Sequence, residues 1–303
     1  MNFGILESLH YICGFFYHMK TIIIIFTLCV SATWMSAQQQ PIGETTSKWT
    51  SREIKRFKAA EAHQGVAVDD EFFYAITNRQ IGKYKKSDGT RVGGWMDDKD
   101  GPFVHLNAGF VKDGKLVCAH SNYPGVPMFS SVEIWDTKTM QHIDSYSFGI
   151  APGSLTWIAE KDDIRYVCFA DYAGNSGNPD KGPAYTQLIR YDNQWRSTGG
   201  WGFPKELIRK FGGYSSSGGA FGPGDLLYIT GHDEKELYVL DFPKAGSILR
   251  WVATIPVSFE GQAFSWDPVN ERILYGIDRK TKEVVVIEIY SENKNEHDEL
   301  QKL

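Results

Sequence analysis

The sequence repeats one pattern five times between residues 63 and 289. Each copy has an apolar strand that begins with small or polar residues, a turn rich in Gly and Asp, a second apolar strand with a polar end, and a third strand. The second strands are predicted at 72–77, 115–119, 165–170, 226–230 and 272–277. Short strands that recur at a spacing of about 40 to 55 residues, with almost no helix, are typical of a β-propeller.

A fourth strand follows each of the first four copies, but none follows the fifth. The segment 52–59 alternates between polar and apolar residues and precedes the first copy. A propeller closes its ring so that no long sheet edge stays open. We therefore predict an all-β, five-bladed propeller over 47–290, in which 52–59 supplies the outer strand of the last blade. A β-sandwich is the alternative, and one short helix is predicted at 204–211.

Composition is consistent with one large domain and excludes two classes of partner. The chain has 303 residues, of which 42% are hydrophobic, and a formal net charge of −5. Its basic residues are scattered, so no electrostatic footprint for nucleic acid or for an anionic membrane is present. We expect a monomer that binds a small molecule or a saccharide.

The N-terminal region has the layout of a secretory signal peptide. Lys20 precedes an apolar run over 21–30, which is too short for a comfortable transmembrane helix and is followed by small and polar residues. We predict a signal peptide over 1–37, with Met19 as a possible true start, a linker over 38–46 and a polar tail over 291–303. The product should be secreted or periplasmic, with no membrane attachment after the signal is removed.

The four cysteines do not form a disulfide framework. Cys13 and Cys29 fall in the predicted signal segment, whereas Cys118 and Cys168 occupy like positions in two like strands. Their side chains should therefore point the same way from separate sheets, and a disulfide needs facing Cβ vectors. We predict two buried free thiols.

Polar residues collect on one face of the predicted ring. The first strand of each copy starts on the same face on which the second strand ends, around the central channel. The second strands end at polar residues in all five copies: Asn78, His120, Asp171, His232 and Asp278. The first strands begin near a second polar set: His63, His105, Ser154, Ser217, Glu260 and Gln262.

Histidine placement points to acid–base or metal chemistry on this face. Four of the five histidines of the predicted propeller lie there, and with Glu260 they form the predicted catalytic set: His63, His105, His120, His232 and Glu260. Histidine titrates close to neutral pH and serves as a general acid or base. His120 and His232 could instead hold a divalent metal such as Ca²⁺ or Zn²⁺. Hydrogen bonding to loop backbone is the structural alternative, and the spacing matches no recognised metal motif.

Two long loops between second and third strands, at 121–129 and 173–185, are predicted to border the same face. Long loops on a rigid scaffold often bind ligands, and their tyrosines could stack on sugar rings. Ordinary surface loops are the alternative. The predicted substrate-binding residues are Asn78, Asn122, Tyr123, Ser154, Asp171, Tyr172, Tyr185, Ser217, Gln262 and Asp278.

Several segments carry a resemblance to known propellers: 63–70, 119–124, 153–157, 217–233 and 250–254. They resemble a family of secreted bacterial and fungal propeller proteins that has no settled activity. More loosely, the chain is similar to five-bladed glutaminyl cyclotransferases and to the calcium- or zinc-using lactonase-type propellers. The resemblance implies the fold, and no active-site residue of either group can be matched here.

These observations lead to two functional hypotheses. The first is an exported enzyme, a hydrolase or lyase, that acts on a saccharide, a lactone or a similar small polar molecule at the histidine-lined mouth of the channel. The second is a non-catalytic propeller that binds carbohydrate or peptide through its aromatic rim.

Overall fold

The structure is a computed structural model, and it describes residues 49–174 and 179–291. The predicted signal peptide, the linker and nearly all of the polar tail lie outside the described residues, so export stays a prediction. Within the described part of the chain, no helix is long and apolar enough to cross a membrane.

Five four-stranded antiparallel sheets form the five blades, which confirms the predicted fold. Blade 1 contains β2 (Gly65–Val68), β3 (Phe72–Ile76), β4 (Gln80–Lys85) and β5 (Arg91–Met96). Blade 2 contains β6 (His105–Lys112), β7 (Lys115–Ser121), β8 (Phe129–Asp136) and β9 (His142–Ile150). Blade 3 contains β10 (Ser154–Lys161), β11 (Ile164–Ala170), β12 (Gln187–Tyr191) and β13 (Ser197–Gly202).

The last two blades follow a short helix, α1 (Lys205–Lys210), which falls inside the predicted helical segment. Blade 4 contains β14 (Gly218–Phe221), β15 (Leu227–Thr230), β16 (Glu236–Asp241) and β17 (Arg250–Pro256). Blade 5 contains β18 (Ser265–Trp266), β19 (Ile273–Asp278), β20 (Glu283–Ser291) and β1 (Trp49–Lys58). The N-terminal strand therefore completes the last blade, as predicted.

Ring closure depends on the pairing of β1 with β20. The two strands run antiparallel from Trp49 opposite Ser291 to Lys58 opposite Glu283, with one bulge between Glu53 and Lys55. Arg52 adds a side-chain hydrogen bond of 2.8 Å to Glu288 on the partner strand. Without β1, the edge of β20 would be exposed and open to aberrant pairing.

The innermost strand of blade 5 is shorter than predicted. The sequence suggested a strand over 262–267, but only Ser265–Trp266 pairs with β19. Ala263 instead donates its backbone N–H to the carbonyl of Gln64 in the neighbouring blade, at 3.2 Å. This part of the chain thus joins blade 5 to blade 1.

The core consists of apolar clusters between adjacent blades. Trp157 is fully buried in the cluster between blades 3 and 4, and its indole N–H donates to Ser216 Oγ at 2.8 Å. Gly219 permits this packing, because a Cβ there would lie 2.6 Å from the Trp157 ring. The two thiols, Cys118 and Cys168, are free and buried, as the sequence predicted.

Candidate functional site

A cavity of about 330 Å³ lies at the mouth of the central channel, where the innermost strands begin. All five blades or the segments that lead into them contribute to its lining. Eight of the predicted site residues line it: His63, Asn78, His105, Tyr123, Tyr172, Ser217, His232 and Gln262. The lining also includes six others: Gln64, Asn107, Pro124, Thr156, Tyr214 and Arg279. We call this space the upper cavity.

His232 is the most constrained of the imidazoles in the upper cavity. Its ring stacks on Tyr214 with a centroid separation of 3.9 Å and an interplanar angle of 11°. Its Nδ1 lies 2.5 Å from Asp233 Oδ1, and Arg279 Nη1 lies 3.2 Å from its Nε2. A guanidinium can only donate, so Nε2 accepts from Arg279 and Nδ1 donates to Asp233. An imidazole held by a carboxylate in this way has the orientation of a general base.

His105 and His63 are both kept neutral by their surroundings. Burial, together with smaller repulsion from His120, His63 and Arg279, lowers the pKa of His105 to about 4. Burial also lowers the pKa of His63, as do the charges of Arg279 and Lys282. Near neutral pH the cavity therefore holds uncharged imidazoles, which can donate and accept hydrogen bonds.

Two tyrosines form one side of the upper cavity. The ring of Tyr123 lies 5.0 Å from the ring of His105 and 4.8 Å from the ring of Tyr172. Burial raises the pKa of Tyr172, so its hydroxyl stays protonated and can act as a hydrogen-bond donor. The pair presents flat apolar surface beside polar groups, an environment suited to a sugar ring.

Buried polar groups in the lining have unused hydrogen-bonding capacity. Thr156 and Gln262 are each 2% exposed, and neither Thr156 Oγ1 nor Gln262 Nε2 has a hydrogen-bond partner in the described part of the chain. Gln64 Nε2, in contrast, donates to Asn78 Oδ1 at 2.6 Å. An unpaired buried donor or acceptor costs about 1–3 kcal/mol, which a polar ligand could recover.

His120 does not line the upper cavity. Its Nε2 accepts the backbone N–H of Val104 at 3.1 Å, and its Nδ1 lies 2.9 Å from Ser131 Oγ. Its ring also packs against Phe103 at 5.5 Å. Both nitrogens are engaged inside blade 2, so the structure gives His120 a structural environment and does not bring it together with the other three histidines.

A one-residue difference in alignment explains the position of His120. In blade 4, Ile229 pairs with Gly219, and His232 follows three residues later. In blade 2, Cys118 pairs with Gly109 in the same way, so Cys118 corresponds to Ile229. The residue three positions after Cys118 is Ser121, which therefore corresponds to His232. Successive side chains on a strand point to opposite faces, so His120 is directed away from the face that His232 joins.

The same offset occurs in blade 5. Asp278 still pairs with Glu283 inside the β19–β20 ladder, and its carboxylate accepts from Arg56 Nη1 at 3.2 Å. The next residue, Arg279, reaches the upper cavity. Asp278 therefore does not line the upper cavity, whereas its neighbour Arg279, which the sequence analysis did not single out, does.

Three other predicted residues are used for local structure, and a fourth, Tyr185, is exposed to solvent. Glu260 forms an ion pair of 2.6 Å with Lys280. Asn122 fixes its own loop, since its side chain accepts from Phe129 N at 2.8 Å and donates to Pro127 O at 3.0 Å. Ser154 Oγ lies 2.8 Å from Ser121 Oγ, with both side chains buried.

Asp171 is buried beside the upper cavity but does not line it. Burial raises its pKa, and the charge of Lys181 opposes this shift. Lys181 Nζ lies 4.0 Å from Asp171 Oδ2, beyond hydrogen-bond distance, while it donates to Pro152 O at 2.9 Å. Lys181 thus joins the connection between β11 and β12 to Pro152, while Asp171 Oδ2 has no hydrogen-bond partner among the described residues.

The described residues contain no group of three or more His, Cys, Asp or Glu side chains arranged to hold a metal ion. The two predicted metal ligands are separated in the structure, because His232 lines the upper cavity and His120 lies within blade 2. The residues that are present therefore do not fit the predicted Ca²⁺ or Zn²⁺ site.

No protein-family model and no curated protein matches the sequence. Among solved structures, the chain is similar to the glutaminyl cyclase of Myxococcus xanthus, with 10% identity, a TM-score of 0.54, and coverage of 81% of this chain and 98% of that chain. A luciferin-regenerating enzyme matches with 11% identity, a TM-score of 0.49, and coverage of 79% and 96%. The similarity to glutaminyl cyclase that the sequence suggested is thus confirmed for the fold.

Proposed function

We propose that the upper cavity is the active site of an acid–base enzyme, a hydrolase or lyase, in which His232 is the general base. The observation that carries the proposal is the set of contacts of His232. Asp233 holds Nδ1 and Tyr214 fixes the ring plane, while Nε2 accepts from Arg279 in the ligand-free protein and would accept a proton from the substrate once Arg279 turns to the ligand. A base positioned in this way contributes about 10²–10⁴-fold to a rate.

Other lining residues supply complementary roles. Arg279 would stabilise negative charge that develops on the substrate, because it lies 3.2 Å from the proton-accepting nitrogen. The protonated hydroxyl of Tyr172 would donate to a leaving oxygen. In hydrolysis His232 would take its proton from a water molecule, and in elimination it would take the proton from a carbon of the substrate.

The cavity size supports a small substrate. Its volume of about 330 Å³ lies at the low end of the range for ligand sites. A monosaccharide or a small lactone would fit, and a longer saccharide would extend past the mouth toward the loop that carries Pro124. Stacking of a sugar on Tyr123 and Tyr172 without turnover is the second candidate function, favoured by the contact between these two rings.

His232→Gln tests the proposal, with His142→Gln as the matched control. His142 lies on outer strand β9, where its Nε2 is 2.8 Å from Glu133, and it does not line the cavity. We expect activity on p-nitrophenyl glycosides, lactones or uronate-containing oligosaccharides to fall by about 100-fold or more in His232→Gln and to persist in the control.

Two results would contradict the proposal. The first is a His232→Gln protein that folds and turns over its substrate as fast as the wild type. The second is saccharide binding by the wild type with no turnover in any of the three assays, which would establish the non-catalytic candidate.

A further inference from the structure

We propose that the molecule bound in the upper cavity is a saccharide with a carboxylate group, a uronic acid, and that Arg279 binds this carboxylate. The inference rests on the proposed function in taking the same cavity as the substrate site. It goes further in naming the chemical class of the substrate and in favouring one of the two reactions.

The charge of the lining is the first argument. Arg279 is the one permanently charged side chain among the described residues that line the cavity, and none of these residues is Asp or Glu. Two acidic side chains that neighbour lining residues in sequence pair with cations outside the lining, Glu260 with Lys280 and Asp278 with Arg56. Asp233 contacts Nδ1 of His232 but does not itself line the cavity. Arg279 is therefore the charged side chain of the lining that can contact an anion directly.

The unused capacity of Arg279 is the second argument. A guanidinium has five N–H donors, and the side-chain contact that this one makes within the described chain is its single bond to His232 Nε2. Arg279 has no carboxylate partner in the described ranges, although it is partly buried. A planar carboxylate can accept two parallel hydrogen bonds from a guanidinium, which makes it the best complement for this side chain.

The remaining lining specifies the rest of the ligand. Thr156 Oγ1 and Gln262 Nε2 are buried and unpartnered, so they can bind hydroxyl or carbonyl oxygens. The rings of Tyr123 and Tyr172 supply flat surface for a pyranose. A carboxylate alone would leave these groups without partners, whereas a neutral sugar would leave Arg279 without its anion. A uronic acid satisfies both.

The position of Arg279 also favours elimination over hydrolysis. A carboxylate that takes over the N–H groups of Arg279 would release the lone pair of His232 Nε2 and bring its α-carbon near this nitrogen, because Arg279 Nη1 and His232 Nε2 are 3.2 Å apart. His232 would remove the proton from this carbon, the C–H electrons would form a carbon–carbon double bond to the β-carbon, and the C–O bond at the β-carbon would break. The leaving oxygen would take the proton of the Tyr172 hydroxyl. His232 would then release its proton to solvent, and Tyr172 would regain one, so no water or redox partner is consumed.

The test compares two sugars that differ in one group. Binding of D-galacturonate and of D-galactose would be measured by calorimetry with the wild type, Arg279→Gln, Arg279→Lys and Arg196→Gln. Arg196 is an exposed control arginine that pairs with Asp192. We expect the wild type and the control to bind galacturonate at least about tenfold more tightly than galactose. Arg279→Gln should lose this preference, and Arg279→Lys should keep part of it.

The outcomes separate this inference from the proposed function. Equal binding of the two sugars, binding of neither, or a preference that survives in Arg279→Gln would overturn the inference. The role of His232 would then still be tested by turnover of neutral glycosides and lactones. Conversely, a His232→Gln protein that keeps both the galacturonate preference and full turnover would overturn the proposed function and leave the carboxylate site in place.

Discussion

The two ends of the central channel differ in chemistry although the same five innermost strands form both. The upper cavity is lined by imidazoles, tyrosines, amides and a guanidinium. A smaller cavity of about 170 Å³ lies at the other end, where residues such as Val68, Phe110 and Ile158 line it. We call it the lower cavity. Its lining is mainly apolar, with Glu160 as its one charged side chain among the described residues.

The difference follows from how the strands are connected at each end. At the lower end, two-residue hairpin turns join the first and second strands of blades 2 and 3, with positive φ at Asp113, Gly114, Asp162 and Asp163. Such turns match the twist of the strands and leave little chain for a binding loop. At the upper end, longer connections follow β7 and β11, and Tyr123 and Tyr172 at their starts line the upper cavity. The longer connections therefore lie at the polar, upper end of the channel, and the short turns lie at its apolar, lower end.

Of the two cavities, the upper one should contribute more to the pH dependence of the free energy of unfolding. The pKa of His105 is about 4 in the folded protein, against an ordinary value of 6.5. As the pH falls below 6.5, His105 therefore binds a proton in the unfolded chain, whereas in the folded chain it binds one only near pH 4. The stability that the neutral side chain provides is complete above this window and is lost as the pH falls through it, by up to about 3 kcal/mol.

Chemical denaturation of the wild type and His105→Gln across this window measures the effect. We expect the variant to lose much less stability on acidification, because it has no side chain to titrate at this position. Parallel curves for the two proteins would show that His105 is not held neutral. None of the described residues that line the lower cavity is a histidine.

The close approach of strands between the two cavities offers a second test. A Cβ at Gly65 would lie 2.5 Å from Ala263 Cβ, so the two blades meet there with no spare room. Gly65→Ala should destabilise the protein by about 2 kcal/mol through overpacking. Ala263→Gly in the same chain should restore part of the loss. Independent, additive effects of the two changes would contradict direct contact.

His120→Ala should affect stability because His120 belongs to the packing of blade 2. The change removes the acceptor for Val104 N–H and the ring contact with Phe103. We expect a loss of roughly 1.5 kcal/mol in the free energy of unfolding. Urea unfolding of this variant and of His120→Gln would check this, since glutamine can still accept a hydrogen bond. No loss in either variant would argue against the structural assignment.

The smallest expected effect lies at the lower cavity. Ile158 is 3% exposed there, and Ile158→Val should cost about 1 kcal/mol of stability because one buried methylene is lost. Galacturonate binding, measured by the same calorimetry, should be unchanged. A marked fall in affinity would show that the lower end of the channel contributes to the ligand site.

The sequence predicted the architecture well because the repeat is expressed in strand patterns that recur in every blade. Five blades, the closing strand and the buried thiols all depend on apolar alternation, which tolerates an alignment error of one residue. The prediction of a site residue does not tolerate such an error, because a shift of one residue places the side chain on the other face of the strand. The second strand of blade 2 was predicted at 115–119, but β7 continues to Ser121, so the residue chosen at its end was His120 instead of Ser121.

The missed residues have a related cause. Arg279 follows a strand that continues one residue further than its composition suggested, because Asp278 remains in the ladder opposite Glu283. Thr156 lies between the apolar residues Leu155 and Trp157 in β10, so its sequence context predicts a buried strand and does not indicate a cavity residue. That its hydroxyl has no partner depends on packing from other blades, so no local pattern could reveal it.

The pairing of β1 with β20 constrains how the chain can fold. Arg52 and Glu288 are 236 positions apart in sequence, yet they meet in the same sheet. The strand synthesised first therefore cannot find its partner until almost the whole ring exists. Contacts between such distant segments form slowly, and the open edge of the last blade remains available to other strands until then. The ring therefore cannot close before β20 has been made.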